Sequence, residues 1–493
     1  MRACLFAAVA VASLQAAVVR GVVVENFTSK PLARAVVNLQ PIAGTPGALR
    51  TKRADAHGGF VFDLLPAGAY IVRASRTNYM SAEYGQKRWN SAGTPFMLVN
   101  DDAGVFLNIR LFRYSAISGT VVDENDEGLP GQDVVAYRNS KPPELMAQAT
   151  TDERGIYRLH GLEPGTYVVR TTGNQSNEGS FLPTFSKETD LLEQSRTIDL
   201  QPDQEAGDMD VRPIEGRLYS LSIAVEKTPP GADVSLTLAS QMGRKTIKAL
   251  SYRFAALPPG EYEIFAQSPA EPAEGEGIQG AYQRIVLGRD MSVTLILRDA
   301  SGVTVVGEPA GAESELRIRR ADLAGTGPTV VVPVVKGSAA IPAGRWEAML
   351  DPPPGFYVAS ASGPGAMMAH SRADGWQEVV SPGFGGLRYR LSSGPSAVHG
   401  VVKNSDDAVP GAPVYLEAYD PVGRQRLADL RITSSDMHGQ FRFDGLAPGA
   451  YRILSTFEYL APDVETMDSS GAQIIIVDTH SESSRDLELY LIR

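Results

Sequence analysis

The 493-residue sequence has one cysteine, three tryptophans and six histidines. The cysteine, Cys4, sits in the first apolar stretch. Once that stretch is removed no thiol remains, which excludes disulfides, thiolate metal sites and cysteine nucleophiles together. Beyond the N-terminus no apolar run reaches the roughly 18 residues of a membrane-crossing helix, so no transmembrane segment is expected. A basic excess is also missing. The formal net charge is -11, which argues against nucleic acid as a partner, because phosphate binding needs a basic face. No G-x-S-x-G elbow, S-x-x-K pair, Walker loop or H-E-x-x-H pair occurs. No stretch shows the apolar period of an amphipathic helix.

What the chain has in quantity is turn chemistry, with 48 glycines and 33 prolines. These punctuate a skeleton, D-x-x-G-x-aromatic-x-apolar-x-x-L-x-x-G-x-Y. Asp55, Gly58, Phe60, Phe62, Leu65, Gly68 and Tyr70 carry it first. It returns as Asp152, Gly155, Tyr157, Leu159, Leu162, Gly165 and Tyr167, and again as Asp436, Gly439, Phe441, Phe443, Leu446, Gly449 and Tyr451. Asp followed by Gly three residues on suits a tight turn, in which Asp bonds the local backbone and Gly supplies a positive φ. Apolar residues two apart point to one face of a strand. Pro-Gly then turns the chain, and the Tyr at the start of the next strand is placed to bond back across the turn, the tyrosine corner of β-sandwiches.

Short strands between Gly/Pro turns predict an all-β chain: a tandem array of about five Ig-like or transthyretin-like sandwiches. The first apolar segment, with Arg2 ahead of Leu5–Leu14 and small residues at Ala16 and Ala17, reads as a secretory signal over 1–16. Five units are expected to follow, at 17–115, 116–215, 216–300, 301–395 and 396–493. Units one, two and five are clean. Unit three keeps Tyr252, Phe254, Leu257, Gly260 and Tyr262 but has lost the Asp and first Gly; unit four keeps Ile341 and Gly344, with Trp346 at the Tyr position. The short link from Leu111 to Ile117 leaves little hinge freedom, so neighbouring units are expected to pack into one rod.

The opening Ile117-Ser118-Gly119-Thr120-Val121-Val122, the Leu129-Pro130-Gly131 turn and the skeleton from Asp152 to Tyr167 resemble the carboxypeptidase regulatory-like domain. That family has a transthyretin-like, or carbohydrate-binding-like, sandwich. The pattern is also similar to the collagen-adhesin B-type repeats of bacterial surface proteins, and the tandem arrangement resembles secreted proteins of acidobacteria. The resemblance implies a secreted protein, whether periplasmic, surface-held or extracellular, and does not imply peptidase activity. Adhesin repeats often carry a Lys–Asn crosslink promoted by a Glu four residues after the motif Tyr. Here those positions are Ala74, Thr171, Ala266 and Ser455, so no such crosslink is expected.

Chemistry is sparse. His160 and Glu163 have the H-x-x-E form of a zinc pair, but they align with Asp63 and Pro66 in unit one and with Asp444 and Ala447 in unit five, which marks variable turn positions. No second histidine completes a site. Asp123, Asn125 and Glu127 mimic the start of a calcium loop, yet Val134 stands where the bidentate Glu belongs. No metal, cofactor or catalytic residue is therefore expected. The binding candidates are aromatics outside the skeleton: Tyr79, Tyr84 and Trp89 in one polar stretch, and Trp376 beside Asp374 and Gly375. Their rings offer large rigid faces that suit sugars. The leading expectation is a non-catalytic envelope or extracellular scaffold or adhesion module. The alternatives are a polysaccharide-binding protein and an accessory subunit of a separate hydrolase or envelope complex.

Overall fold

The computed structural model describes residues 17–492 except 43, 100–103, 141–142, 176–179, 227, 229–230, 272–276, 308–313, 326–328, 364–374, 384–385 and 420–429. The expected signal at 1–16 lies outside the described residues.

The skeleton folds as its chemistry dictates. Asp55 accepts the N–H groups of His57 and Gly59, both at 2.8 Å. Asp152 does the same with Arg154 and Ile156 at 2.9 Å, and Asp436 with His438 and Gln440 at 2.8 Å. The strand that follows lies antiparallel to the opening strand of its unit, in the register Gly21↔Phe60, Gly119↔Tyr157 and Gly400↔Phe441. The first aromatic covers the glycine opposite. A Cβ on Gly21 would lie 2.4 Å from the Phe60 ring and 2.4 Å from the Leu107 carbonyl oxygen. Unit three makes the reciprocal choice. Ile223 faces Tyr252 there, Ile223 is buried, and Tyr252 is 37% exposed.

The chain then crosses to the second sheet through the corner. Tyr70, Tyr167, Tyr262 and Tyr451 each donate their hydroxyl to the carbonyl four residues earlier, on Pro66, Glu163, Pro258 and Ala447, at 2.7–2.9 Å. Trp346 makes the equivalent bond with its indole N–H, to Pro342 at 2.8 Å. Two residues before each ring stands a glycine at φ between 141° and 156°, at positions 68, 165, 260, 344 and 449. That region is essentially closed to other residues. Unit four thus keeps the corner, although its aromatic pair is gone.

Each unit is two facing sheets. In the first, the opening strand sits between the skeleton strand, antiparallel, and a closing strand, parallel: Ala17–Glu25 lies between Gly59–Leu65 and Val105–Leu111, and Tyr219–Glu226 between Ser251–Leu257 and Met291–Ile296. The second sheet places the corner strand inside, as in the order Glu144–Thr150, Asp133–Arg138, Gly165–Thr171, Thr197–Leu200. Unit four replaces the long skeleton strand with Ser338–Ala340 and recruits Phe356–Ser362 as a fourth strand beside Leu387–Ser393. Five separate apolar cores result, one between each pair of sheets. The chain also has a helix that sequence periodicity did not indicate. Val464–Ser469 is six residues long, is capped by Asp463 accepting the Thr466 N–H at 2.8 Å, and buries Met467 against Tyr415 and Leu454. It is too short to show a period.

The corner bond accounts for the choice of Trp over Phe in unit four. Trp346→Phe keeps a ring but removes the donor, and should cost about 1 kcal/mol in urea unfolding. An unchanged midpoint would show that ring burial alone holds the corner.

Candidate functional site

Several buried polar residues lie where units meet. Between units one and two, the buried Glu25 carboxylate accepts bonds from Thr28 and Arg113 and, at 3.2 Å, from the Tyr79 hydroxyl. Arg113 also lies 3.5 Å from Asp203 of unit two. The link itself is pinned: the Met80 N–H donates to the Phe112 carbonyl at 2.8 Å and the Tyr114 N–H to that of Asn78 at 3.3 Å. The Thr28 bond, with those from Arg113 and Tyr79, holds the Glu25 carboxyl below its ordinary pKa against the opposing effect of burial.

Units two and three meet through apolar contact. Leu182 packs against Gly216, and Pro183 and Leu218 both close on Gly173. Arg170 lies 5.1 Å from the centre of the Phe185 ring, and burial pulls its pKa down.

The joint between units three and four is built on buried charge. The fully buried Glu263 takes the Tyr282 hydroxyl at 2.7 Å, the Leu323 N–H at 3.0 Å and Arg345 at 3.3 Å. Burial, and the bond to Glu263, push the Tyr282 hydroxyl up to about 12. Asp322, also fully buried, holds Arg320 at 2.7 Å and Arg244 of unit three at 3.8 Å. Arg320 in turn lies over Phe265 of unit three, 4.3 Å from the ring centre.

Unit five touches unit four, where His480 Nε2 lies 2.9 Å from the Ser393 carbonyl. It also touches unit one. The Ala92 N–H donates to the Phe457 carbonyl at 2.7 Å, and the Leu460 N–H to that of Asn90 at 3.2 Å. Lys87 pairs with the buried Glu458 at 3.2 Å, and Ile42 and Pro95 close on Gly411. The chain therefore returns on itself and is not the extended rod expected from its short link. That link constrains only adjacent units. The closure comes from loops far apart in sequence.

Each predicted aromatic now has a place. Tyr79 belongs to the first joint, with Arg76 and Arg113 each 5.7 Å from its ring centre. Tyr84 packs on the core of unit one, edge-on to Phe96 at 6.0 Å. Trp89 is half-buried in the loop that docks on unit five, and its carbonyl accepts the Gln86 amide at 2.8 Å. Trp376 requires a correction. It is 2% exposed with Arg319 over its ring at 4.0 Å, so it presents no open face for stacking. Its polar sequence neighbours concealed an inward-facing side chain. The four rings are not brought together.

His160 is exposed, and Glu163 pairs with Arg138 at 3.0 Å. Asp123 caps its own turn through the N–H groups of Asn125 and Glu127. Among the described residues no group of three or more His, Cys, Asp or Glu is placed to hold a metal. No helix of the described residues is long and apolar enough to cross a membrane.

The fold is an array of all-β sandwiches. Within it, residues 116–206 match the model of the carboxypeptidase regulatory-like domain, the family that unit two resembles in sequence. No curated protein matches the chain. Among solved structures, it is similar to GBS52, the minor pilin of Streptococcus agalactiae, at 13% identity over 41% of this chain and 97% of that one, with a TM-score of 0.27. It is also similar to the Bacillus anthracis TIE protein, at 15% identity over 72% of this chain and 67% of that one, with a TM-score of 0.17. The shaft pilin SpaA of Lactobacillus rhamnosus GG shares 14% identity over 41% of this chain and 99% of its own, with a TM-score of 0.23.

Two tests address the joints. Glu263→Ala leaves the Tyr282 hydroxyl and the Leu323 N–H without their acceptor and Arg345 with Glu378 alone, and should cost about 3 kcal/mol in urea unfolding; a loss under about 1 kcal/mol would mean the joint is wet. Glu25 has a lowered folded pKa, so its contribution is present above the unfolded pKa and is lost as pH falls through the folded one. As pH falls below the ordinary carboxylate range, amide exchange at Met80 and Tyr114 should accelerate beyond its intrinsic pH dependence. Glu25→Gln should remove that extra acceleration.

Proposed function

We propose that this chain is a secreted, non-catalytic scaffold or adhesion module of the cell envelope or extracellular space. The observation that carries the reading is the use of its polar side chains. The buried ones described above, Glu25, Glu263, Asp322 and Glu458, are spent on holding one sandwich against another or on fixing a linker. A protein that uses its charges this way maintains a shape. The unit boundaries at 115, 215, 300 and 395 belong to the same proposal, as does removal of residues 1–16 on export.

A second reading, binding of polysaccharide, is favoured by one feature: the joint between units four and five holds a cleft of about 1400 Å³. It does not compete with the first, since an adhesion module needs a ligand.

Small-angle scattering on the exported chain tests the shape. The closed form should give a maximum dimension far below that of five sandwiches end to end. Ala92→Pro, which removes the N–H that reaches Phe457, combined with Lys87→Glu beside Glu458, should lengthen it. A wild-type profile already matching a linear string would overturn the fixed-shape reading. Recovery of the chain only from the cytoplasm, with residues 1–16 retained, would overturn export.

A further inference from the structure

Four joints are bridged by ion pairs or close packing, at Arg113–Asp203, Leu218–Gly173, Glu263–Arg345 and Lys87–Glu458. The joint between units four and five is different. Among the described residues a His480 hydrogen bond spans it, and beside that contact lies a cleft of about 1400 Å³ with walls from both units. This exceeds the roughly 300–1,000 Å³ usual for a small-molecule pocket, so the cleft suits a chain better than a single small ligand.

Its lining narrows the chemistry. Three arginines, Arg317, Arg431 and Arg442, stand among four carboxylates, Glu315, Asp351, Asp444 and Glu482. They are largely paired with one another. Arg317 bonds Asp351, and Arg442 lies 2.7 Å from Asp444 and 3.0 Å from Glu482. Only one carboxylate is left in excess, so neither a polyanion nor a polycation gains much there. Guanidinium–carboxylate pairs still offer outward N–H donors and carboxylate lone pairs to neutral hydroxyl groups. Between the pairs the wall is apolar and rigid. Tyr357 is half-buried on the strand Phe356–Ser362, and Pro352 to Pro354 lead into it. Rigid rings beside neutralised polar groups complement a ligand with apolar C–H faces and hydroxyl edges.

We propose that this cleft binds a neutral oligosaccharide chain, with the Tyr357 ring as stacking platform and the Arg317–Asp351 and Arg442–Asp444 pairs as hydroxyl partners. The proposal rests on the polysaccharide reading and places it away from Tyr79, Tyr84 and Trp89; of the four aromatics that the sequence singled out, the buried Trp376 alone borders the cleft. Asp351 is the deepest polar group named. It belongs to unit four but feels Arg431 of unit five, so a ligand seated there would touch both units at once.

The test is calorimetric titration of the full chain with cello-, xylo-, malto- and chito-hexaose. At least one should bind, and Tyr357→Ala should weaken it about tenfold, in line with loss of one stacked ring. Arg431→Ala, at an exposed position, serves as a second variant, and thermal melts confirm that both fold. Trp89→Ala, outside the cleft, should weaken binding less than Tyr357→Ala does. Binding that survives both cleft variants would overturn this location while leaving the polysaccharide reading intact. No binding of any hexaose would overturn both. Selective binding of an extended peptide at the cleft, blocked by Tyr357→Ala, would overturn the ligand class.

Discussion

The structure depends first on one hydrogen bond, from an aromatic ring to the carbonyl four residues earlier. It closes the turn through which each unit passes from its first sheet to its second. Two requirements attach to it: a donor at the far end of a flat ring, and a glycine two residues before at φ near 150°. Any side chain meeting the first requirement serves, and so Trp346 replaces Tyr without loss of the bond. Because the corner fixes where the second sheet begins, it also fixes which way the next residue points. That residue faces away from the core of its own unit. It is Ile71, Val168, Glu263, Glu347 and Arg452 in the five units, and in the last three it is a buried charge. Glu263 is spent on the neighbouring unit. Glu347 pairs with Arg319 under Trp376, and Arg452 with Glu417 and Asp468. A rigid corner thus leaves the adjacent position free to specify what covers the sheet.

This division explains what could be read from sequence. The skeleton is local, since every partner of Asp152 or Tyr167 in its turn lies within four residues. Local chemistry repeated at a fixed spacing is legible, and the eroded copies could be placed by it. The reciprocal exchange at Ile223 and Tyr252 was legible only in part, because the missing glycine and the displaced ring are on different strands.

The joints were not legible, for the converse reason. Glu263 finds Leu323 and Arg345, sixty and eighty-two residues away. Nothing near Glu263 in the sequence marks it as buried. Trp376 shows the opposite error. Its neighbours suggest an open loop, yet its partner Arg319 comes from another strand of the same sheet system and covers it. The contact that turns a presumed rod into a closed chain joins Ala92 to Phe457, with no motif at either end. A backbone–backbone bond leaves no trace in side-chain identity.

Closure changes what the last joint can do. In an open string, the separation of units four and five would be set only by the link between them and by His480, and the space beside that contact would open and shut with each hinge fluctuation. Here unit five is also tied to unit one, and unit one reaches unit four through the Glu25, Leu182 and Glu263 joints. Two independent paths therefore set the width of the cleft. A gap held from both sides is organised before anything enters it, and a ligand then forgoes the ordering cost that a hinged site would impose. The buried charges at the other joints are thus connected to the cleft although none of them lines it. Loosening any one of them releases one of the two paths, and so weakens whatever the cleft holds without touching it.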